Sequence, residues 1–240
     1  TDHAQIAVTG DFDPKKMQNT LQKAFGQWKT KQPYQKITSP YVQFKAEKVH
    51  ALSEQREFGS YQSILTIPVG AYHQDAPALI LLSHIMGNSQ LSSRLAQELR
   101  EKNALVYGFW SDLDLDSDTE SGSISITANY TAGRSDQVSQ SVHKVLTDLL
   151  SKGVTEQEVE AAKADIMKKR VTSLEDERNI HKMLTGQLER NKTLMDRAER
   201  DQALAKLTKA DVDAVIKKYI KLDQFVEVMA DQYGKAQDLK

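Results

Sequence analysis

Two alternating stretches stand back to back in this chain, "ALVYGFWSDLDLDSD" at 104–118 and "SGSISITANY" at 121–130, with a polar turn between them. Apolar and polar residues in strict alternation give a strand with one buried face, and two such runs around a short polar turn give a hairpin. From residue 135 the pattern is helical almost to the end. Val138, Val142, Val145, Leu146 and Leu149 make one amphipathic stripe,. Thr155 with Glu158, and Thr208 with Asp211, have the three-residue spacing of a helix-opening capping box,. Only then does "QFVEVMA" at 224–230 read as a closing strand. A hairpin, a long helical block and a final strand do not make a doubly wound parallel sheet. The pattern predicts an α+β fold, a mixed and largely antiparallel sheet covered by helices.

The first part of the chain fits this frame. "AQIAVTG" at 4–10 is β-prone, and Asp13 followed by Pro14 is a good cap and first position for the helix "PKKMQNTLQKAFGQW",. "GQWKTKQPYQKITSP", 26–40, is polar, aperiodic and carries two prolines, as a linker does,. "YVQFKAEKVH" and "SYQSILTIPVG" are strand candidates, and "DAPALILLSHIMG" is too apolar for a surface helix,. In "LSSRLAQELREKN", Leu91, Leu95 and Leu99 are expected to form a buried stripe, with Arg100 off it on the side of Ala96 and Gln97,. The opening "AVTGDFDPK" and the closing "EVMADQYGK" echo each other as strand, aspartate, turn residue and lysine. On that echo, residues 1–40 are the tail of a preceding domain plus linker, and 41–240 are one complete domain. The chain then reads as a piece of a longer protein.

Composition excludes several function classes. Lysine and arginine number 32 against 33 acidic residues, so no net field argues for nucleic acid or an anionic membrane as partner. There is no cysteine, which removes thiolate nucleophiles, disulfides and cysteine metal sites. No apolar run reaches the length of a membrane span.

Residue patterns exclude more. His3, His50, His73, His84, His143 and His181 never pair at a spacing that puts two imidazoles on one helix face, and neither H-E-x-x-H nor H-x-x-E-H occurs,. "DLDLDSD" at 112–118 would need glycine and glutamate where Ser117 and Ser123 stand to be a calcium loop,. It reads better as a strand with its aspartates in water. Glycine-rich phosphate loops and a G-x-S-x-G elbow are absent as well. Arg100 and Tyr107 remain, seven residues apart across a helix end. A guanidinium and a phenol could converge on a carbonyl oxygen as two donors to developing negative charge. An arginine and a tyrosine near a helix end more often make a salt bridge and a packed aromatic, and spacing alone does not choose.

The run "SSRLAQELREKNALVYG" resembles the signature of the non-metal-binding domains of the pitrilysin (insulinase) family of zinc metallopeptidases. "VTGDFDPKKMQNTLQKAFGQW" is similar to the strand and helix that close each domain there, and "GVTEQEVEAAKADIMKKRVTSLED" resembles a late helix pair. These matches spread over nearly the whole chain in the order the family requires. The resemblance implies repeated homologous α+β domains, forming two halves that close around a peptide or unfolded protein substrate. It implies zinc held by H-x-x-E-H in an N-terminal half that this segment lacks. The C-terminal domain would then contribute substrate-binding and oxyanion-stabilising groups. Residue by residue, Arg100 would anchor substrate backbone and Tyr107 would donate to the oxyanion, and the segment by itself would be inactive. Two other readings stay open: a proteolytically inactive scaffold or assembly subunit of the same fold, and a stand-alone peptide-binding module. The family suggests a bacterial periplasmic or membrane-associated setting.

Overall fold

The structure is a computed structural model and describes residues 4–233 apart from 30, 33, 55 and 90. His3, and Gly234 and Lys235 of the closing echo, lie outside the described residues. The chain divides into two compact units, one of residues 1–38 with 164–202 and the other of 39–163 with 203–240.

In the first unit, Asp13 caps helix α1 (Pro14–Phe25), its carboxylate accepting from the backbone of Lys15 and Lys16 at 2.9 and 3.1 Å. Met17, Leu21 and Phe25, at four-residue steps, line a groove of about 410 Å³ with Ile6 and Phe12. The expected strand at 4–10 is not formed: these residues join no ladder. A β-prone segment becomes a strand only when another strand edge satisfies its backbone.

The second unit holds the sheet. Its strands are β1 (Glu47–Leu52), β2 (Phe58–Ile67), β3 (Val106–Leu115), β4 (Gly122–Thr131) and β5 (Val226–Asp231), in the order β1-β5-β2-β4-β3. β3 and β4 are the hairpin read from the sequence. All pairings are antiparallel except β1 with β5, where the last strand inserts beside the first. "YVQFKAEKVH" becomes a strand only from Glu47 onward. The expected α+β fold with a mixed, largely antiparallel sheet is the one observed.

One face of the sheet is buried. Tyr61, Ser63, Leu65 and Ile67 of β2, Ile124, Ile126, Ala128 and Tyr130 of β4, and Phe109 of β3 point into it. The helix α3 (Ser135–Lys152) covers them with Val138, Val142, Val145, Leu146 and Leu149, each buried as the stripe predicts. Beside it run α2 (Ala76–Ser83), which has all but two of its residues buried, and α7 (Lys209–Tyr219). Asp75 joins these two, accepting from Lys218 Nζ at 2.7 Å and Tyr219 Oη at 2.6 Å. Both predicted capping boxes form, Thr155 with Glu158 opening α4 (Glu156–Thr172) and Thr208 with Asp211 opening α7. Beyond α4 come α5 (Glu177–Glu189) and α6 (Leu194–Lys206).

The opposite face carries Phe58, Ser60, Gln62, Ile64 and Thr66 of β2 and Ser125, Thr127 and Asn129 of β4, all exposed or half-exposed. Phe44 N–H donates to Thr66 Oγ1 at one end of this face. The candidate site lies at the other.

Candidate functional site

Arg100 lies in a short helix, Ala96–Lys102, whose turns are wider than those of an α-helix. α2 runs into a similar turn, His84–Asn88. Such widened turns are rare and cluster at functional sites. Within the His84–Asn88 turn, Gly87 is required by close packing: a Cβ there would collide with Ser111 Cβ of β3.

The observed helix corrects the stripe expected from the sequence. Leu95 and Leu99 are fully buried, but Leu91 precedes the helix and is 74% exposed. Ala96, expected on the exposed side with Arg100, is buried, and so is Glu98. Leu95, Ala96, Glu98 and Leu99 have the i, i+1, i+3, i+4 spacing of one helix face, and all four turn to the core,. Arg100 stays exposed.

Two groups hold this helix from outside. At its start, Arg94 makes a fork to Glu158, Nε at 2.7 Å and Nη2 at 2.8 Å, and donates to the carbonyl of Gly153 at 2.8 Å. Burial pushes the Glu158 carboxyl up, but the Arg94 and Thr155 bonds outweigh it and leave it below the usual range,. At its end, Glu98 accepts from Lys144 Nζ of α3 at 2.6 Å and from the Asn103 amide at 3.2 Å. The same Asn103 amide donates to the Glu98 carbonyl at 2.7 Å. The Lys144 bond chiefly holds the Glu98 carboxyl below its ordinary value, against burial.

The chain then reverses. Leu105 N–H reaches back to the Leu99 carbonyl at 2.8 Å, and Ala104 takes φ 45°, the left-handed position at which helices commonly end on glycine,. A side chain there is strained by about 1–2 kcal/mol. Ala104→Gly is expected to raise stability by about 0.5–1 kcal/mol, the rest being lost to the greater freedom of unfolded glycine. Urea unfolding of the two proteins side by side measures it, and a loss of stability would show that the turn is not strained.

Tyr107 comes next, at an irregularity of the β3–β4 ladder: Val106 pairs with Tyr130 and Gly108 with Asn129, leaving Tyr107 as the extra residue. A bulge of this kind turns a side chain out of its regular direction. Tyr107 is 66% exposed. Its ring meets that of Phe58 edge-on, centroids 4.9 Å apart and planes at 85°. Thr131 Oγ1 donates to its hydroxyl oxygen at 3.4 Å, which leaves the phenolic proton to be donated in turn,. Beside it opens a cavity of about 510 Å³ lined by Arg56, Glu57, Phe58, Ser60, Tyr107 and Asn129.

Arg100 and Tyr107 therefore flank one tight, externally braced turn, both outside the core. Among the described residues no three of histidine, aspartate and glutamate come together as a metal-binding set, so the described side chains do not form a site that fits a zinc ion. No described helix is long and apolar enough to cross a membrane. His50 and His143 are instead partners of buried carboxylates, Asp231 and Glu227. Glu98, Lys144 and Asn103 were not identifiable from sequence as site residues, because the bond that gives Glu98 its place comes from 46 positions away.

A family model described as "Peptidase M16 inactive domain" matches residues 1–166. The chain belongs to this family. It is 28% identical over 174 residues to YmxG, an uncharacterised zinc protease of Bacillus subtilis, the match covering 72% of this chain and 41% of that protein. The chain spans less than half the length of the curated relatives it matches. Its fold is that of the peptidase M16 inactive domain from Pseudomonas fluorescens, with a TM-score of 0.75 at 22% identity over 88% of this chain and 49% of the other. The periplasmic protease PqqL of Escherichia coli matches with a TM-score of 0.69 at 16% identity, over 92% and 24%. The expected membership of the pitrilysin group of zinc peptidases, and of its non-metal-binding domains, is thus met.

Proposed function

We propose that this M16 domain is the substrate-binding and oxyanion-stabilising part of a zinc endopeptidase that cleaves peptides or unfolded proteins in a closed chamber. The carrying observation is Tyr107. It stands at a strand bulge, beside a cavity, with its hydroxyl oxygen already accepting from Thr131 and its proton available to a substrate oxygen. Arg100, at the other end of the same turn, holds a second backbone carbonyl of the substrate as a charged donor. Donors fixed in place before reaction stabilise charge as it develops without having to reorganise.

Zinc belongs to a separate N-terminal half, which closes over this domain. What supports a zinc enzyme is that relatives such as YmxG are named zinc proteases, and that this chain spans under half of their length. The setting we assign is the bacterial periplasm, as for the structural relative PqqL.

The test is zinc content and cleavage of an internally quenched fluorogenic peptide by the full-length protein, with and without chelator, beside this segment alone. About one zinc per full-length chain with chelator-sensitive cleavage, and neither in the segment, is the expected result. No zinc and no cleavage in the full-length protein would replace the peptidase reading with that of a scaffold subunit. Tight peptide binding by the segment alone would make it a self-sufficient binding module.

A further inference from the structure

We infer that Glu98 and Lys144 are positioning residues for the Arg100–Tyr107 pair: the ion pair between the buried Glu98 and the half-exposed Lys144 fixes the wide helical turn that sets where both donors point. The inference rests on the role proposed above for Arg100 and Tyr107.

The geometry is specific. Glu98 is 7% exposed, although two residues later Arg100 is in solvent. Both of its oxygens are engaged, Oε1 by Lys144 at 2.6 Å and Asn103 at 3.2 Å, and Oε2 facing Lys102 at 3.6 Å. Asn103 bridges the carboxylate and the main-chain carbonyl of the same residue, spanning the five positions of the widened turn. Lys144 comes from the middle of α3, which is packed on the sheet by its apolar stripe. The helix end is therefore referenced to the sheet through one charged contact. The start of α3 contributes a second brace, Arg134 Nη1 donating to the Ala104 carbonyl at 3.3 Å. With Lys144 removed, Glu98 keeps only its local partners, and the turn is free to relax toward ordinary helical geometry. Relaxation would rotate Arg100 and shift the strained Ala104 turn that delivers Tyr107 to its bulge.

A clamp that serves stability alone predicts a lower melting temperature and unchanged turnover. A positioning clamp predicts a different split. In the full-length protein with its metal-binding half, Glu98→Gln and Lys144→Met are expected to lower kcat about tenfold through the misplaced Tyr107 donor, and to raise KM about two- to fivefold through the loosened Arg100. Lys144→Arg, which keeps a cation able to reach Glu98, restores most of the rate. In a Tyr107→Phe background, Glu98→Gln adds little further loss of kcat, although the KM effect that runs through Arg100 remains. Amide exchange at Leu105, whose N–H closes the turn, rises in Lys144→Met while that of the α3 core does not.

Normal kcat in Glu98→Gln and Lys144→Met, beside a slowed Tyr107→Phe, would overturn the inference and leave the role of Tyr107 intact. Fully additive kcat losses in the double variant would overturn it too, placing Glu98 in some other step. If Tyr107→Phe and Arg100→Ala both turn over normally, the parent reading falls and this one with it. Should Glu98→Gln fail to fold, the Lys144→Met and Lys144→Arg pair decides, because Lys144 is 56% exposed at its side chain and its loss leaves no cavity.

Discussion

Tyr107→Phe in the full-length protein is expected to lower kcat by about a hundredfold, and by at least tenfold, with little change in KM or folding stability. One preorganised donor to a developing oxyanion is worth about 10²–10³ in rate. The substitution removes only the hydroxyl. Phenylalanine keeps the edge-on contact with Phe58 and the place in the bulge. The Thr131 bond that disappears is long, at 3.4 Å, and solvent-exposed, so the folded state loses almost nothing,. A donor that engages the oxygen chiefly once it carries charge contributes to the transition state and hardly to substrate binding, which is why kcat moves and KM does not. Single-turnover kinetics on the quenched peptide read the chemical step directly. An unchanged rate there removes Tyr107 from the mechanism, and a raised KM at normal kcat would make it a binding residue only.

The features of this fold that are legible in the sequence are those that depend on neighbours along the chain. The β3–β4 hairpin, the α3 stripe and the two capping boxes are each written as a pattern within one short run of the chain, and all form as their patterns indicate. Patterns fail where the answer depends on distant partners. "AQIAVTG" has the composition of a strand but joins no ladder. Leu91 keeps helical step with Leu95 yet lies before the helix begins. The candidate site divides in the same way. Arg100 and Tyr107 could be picked out by their placement around a helix end and by the family resemblance. The bulge that turns Tyr107 outward depends on how β3 registers against β4, and the Glu98 side chain beneath the Arg100 helix is met by Lys144 from another helix. Neither leaves a local periodicity to read. Charged residues at Glu98 and Glu227 even argue for solvent by composition, and both are buried because cations and hydroxyls from other elements meet them.

Glu227→Ala is expected to damage stability more than any other substitution proposed for this chain, costing about 3–5 kcal/mol. Glu227 and Asp231 sit four residues apart on the buried face of β5, the strand inserted between β1 and β2. Glu227 accepts from Ser139 Oγ at 2.9 Å, from Tyr61 Oη at 3.2 Å and from His143 Nε2, and Lys48 Nζ donates to the same Ser139 at 3.0 Å. Asp231 accepts from the backbone of Gly133 and Tyr233 at 3.2 and 2.9 Å and pairs with His50 at 3.3 Å. Alanine at 227 strands the Tyr61 and Ser139 hydroxyls between α3 and the sheet and takes the carboxylate from the half-exposed His143, and removing one member of a buried charged network typically costs that much. In a chain of this size the melting temperature falls by roughly 10 °C. Burial pushes both carboxyls up, but the bonds each accepts outweigh it and hold them below their ordinary values. A depressed folded value means that the stabilisation is fully present above the unfolded pKa, about 4, and is lost as pH falls through the folded one. The stability advantage of the natural protein over Glu227→Gln should therefore be constant near neutrality and shrink below about pH 4.5. An advantage that instead persisted unchanged into acid would mean that the carboxylate's charge contributes nothing, and that hydrogen-bonding shape alone holds β5 between its neighbours.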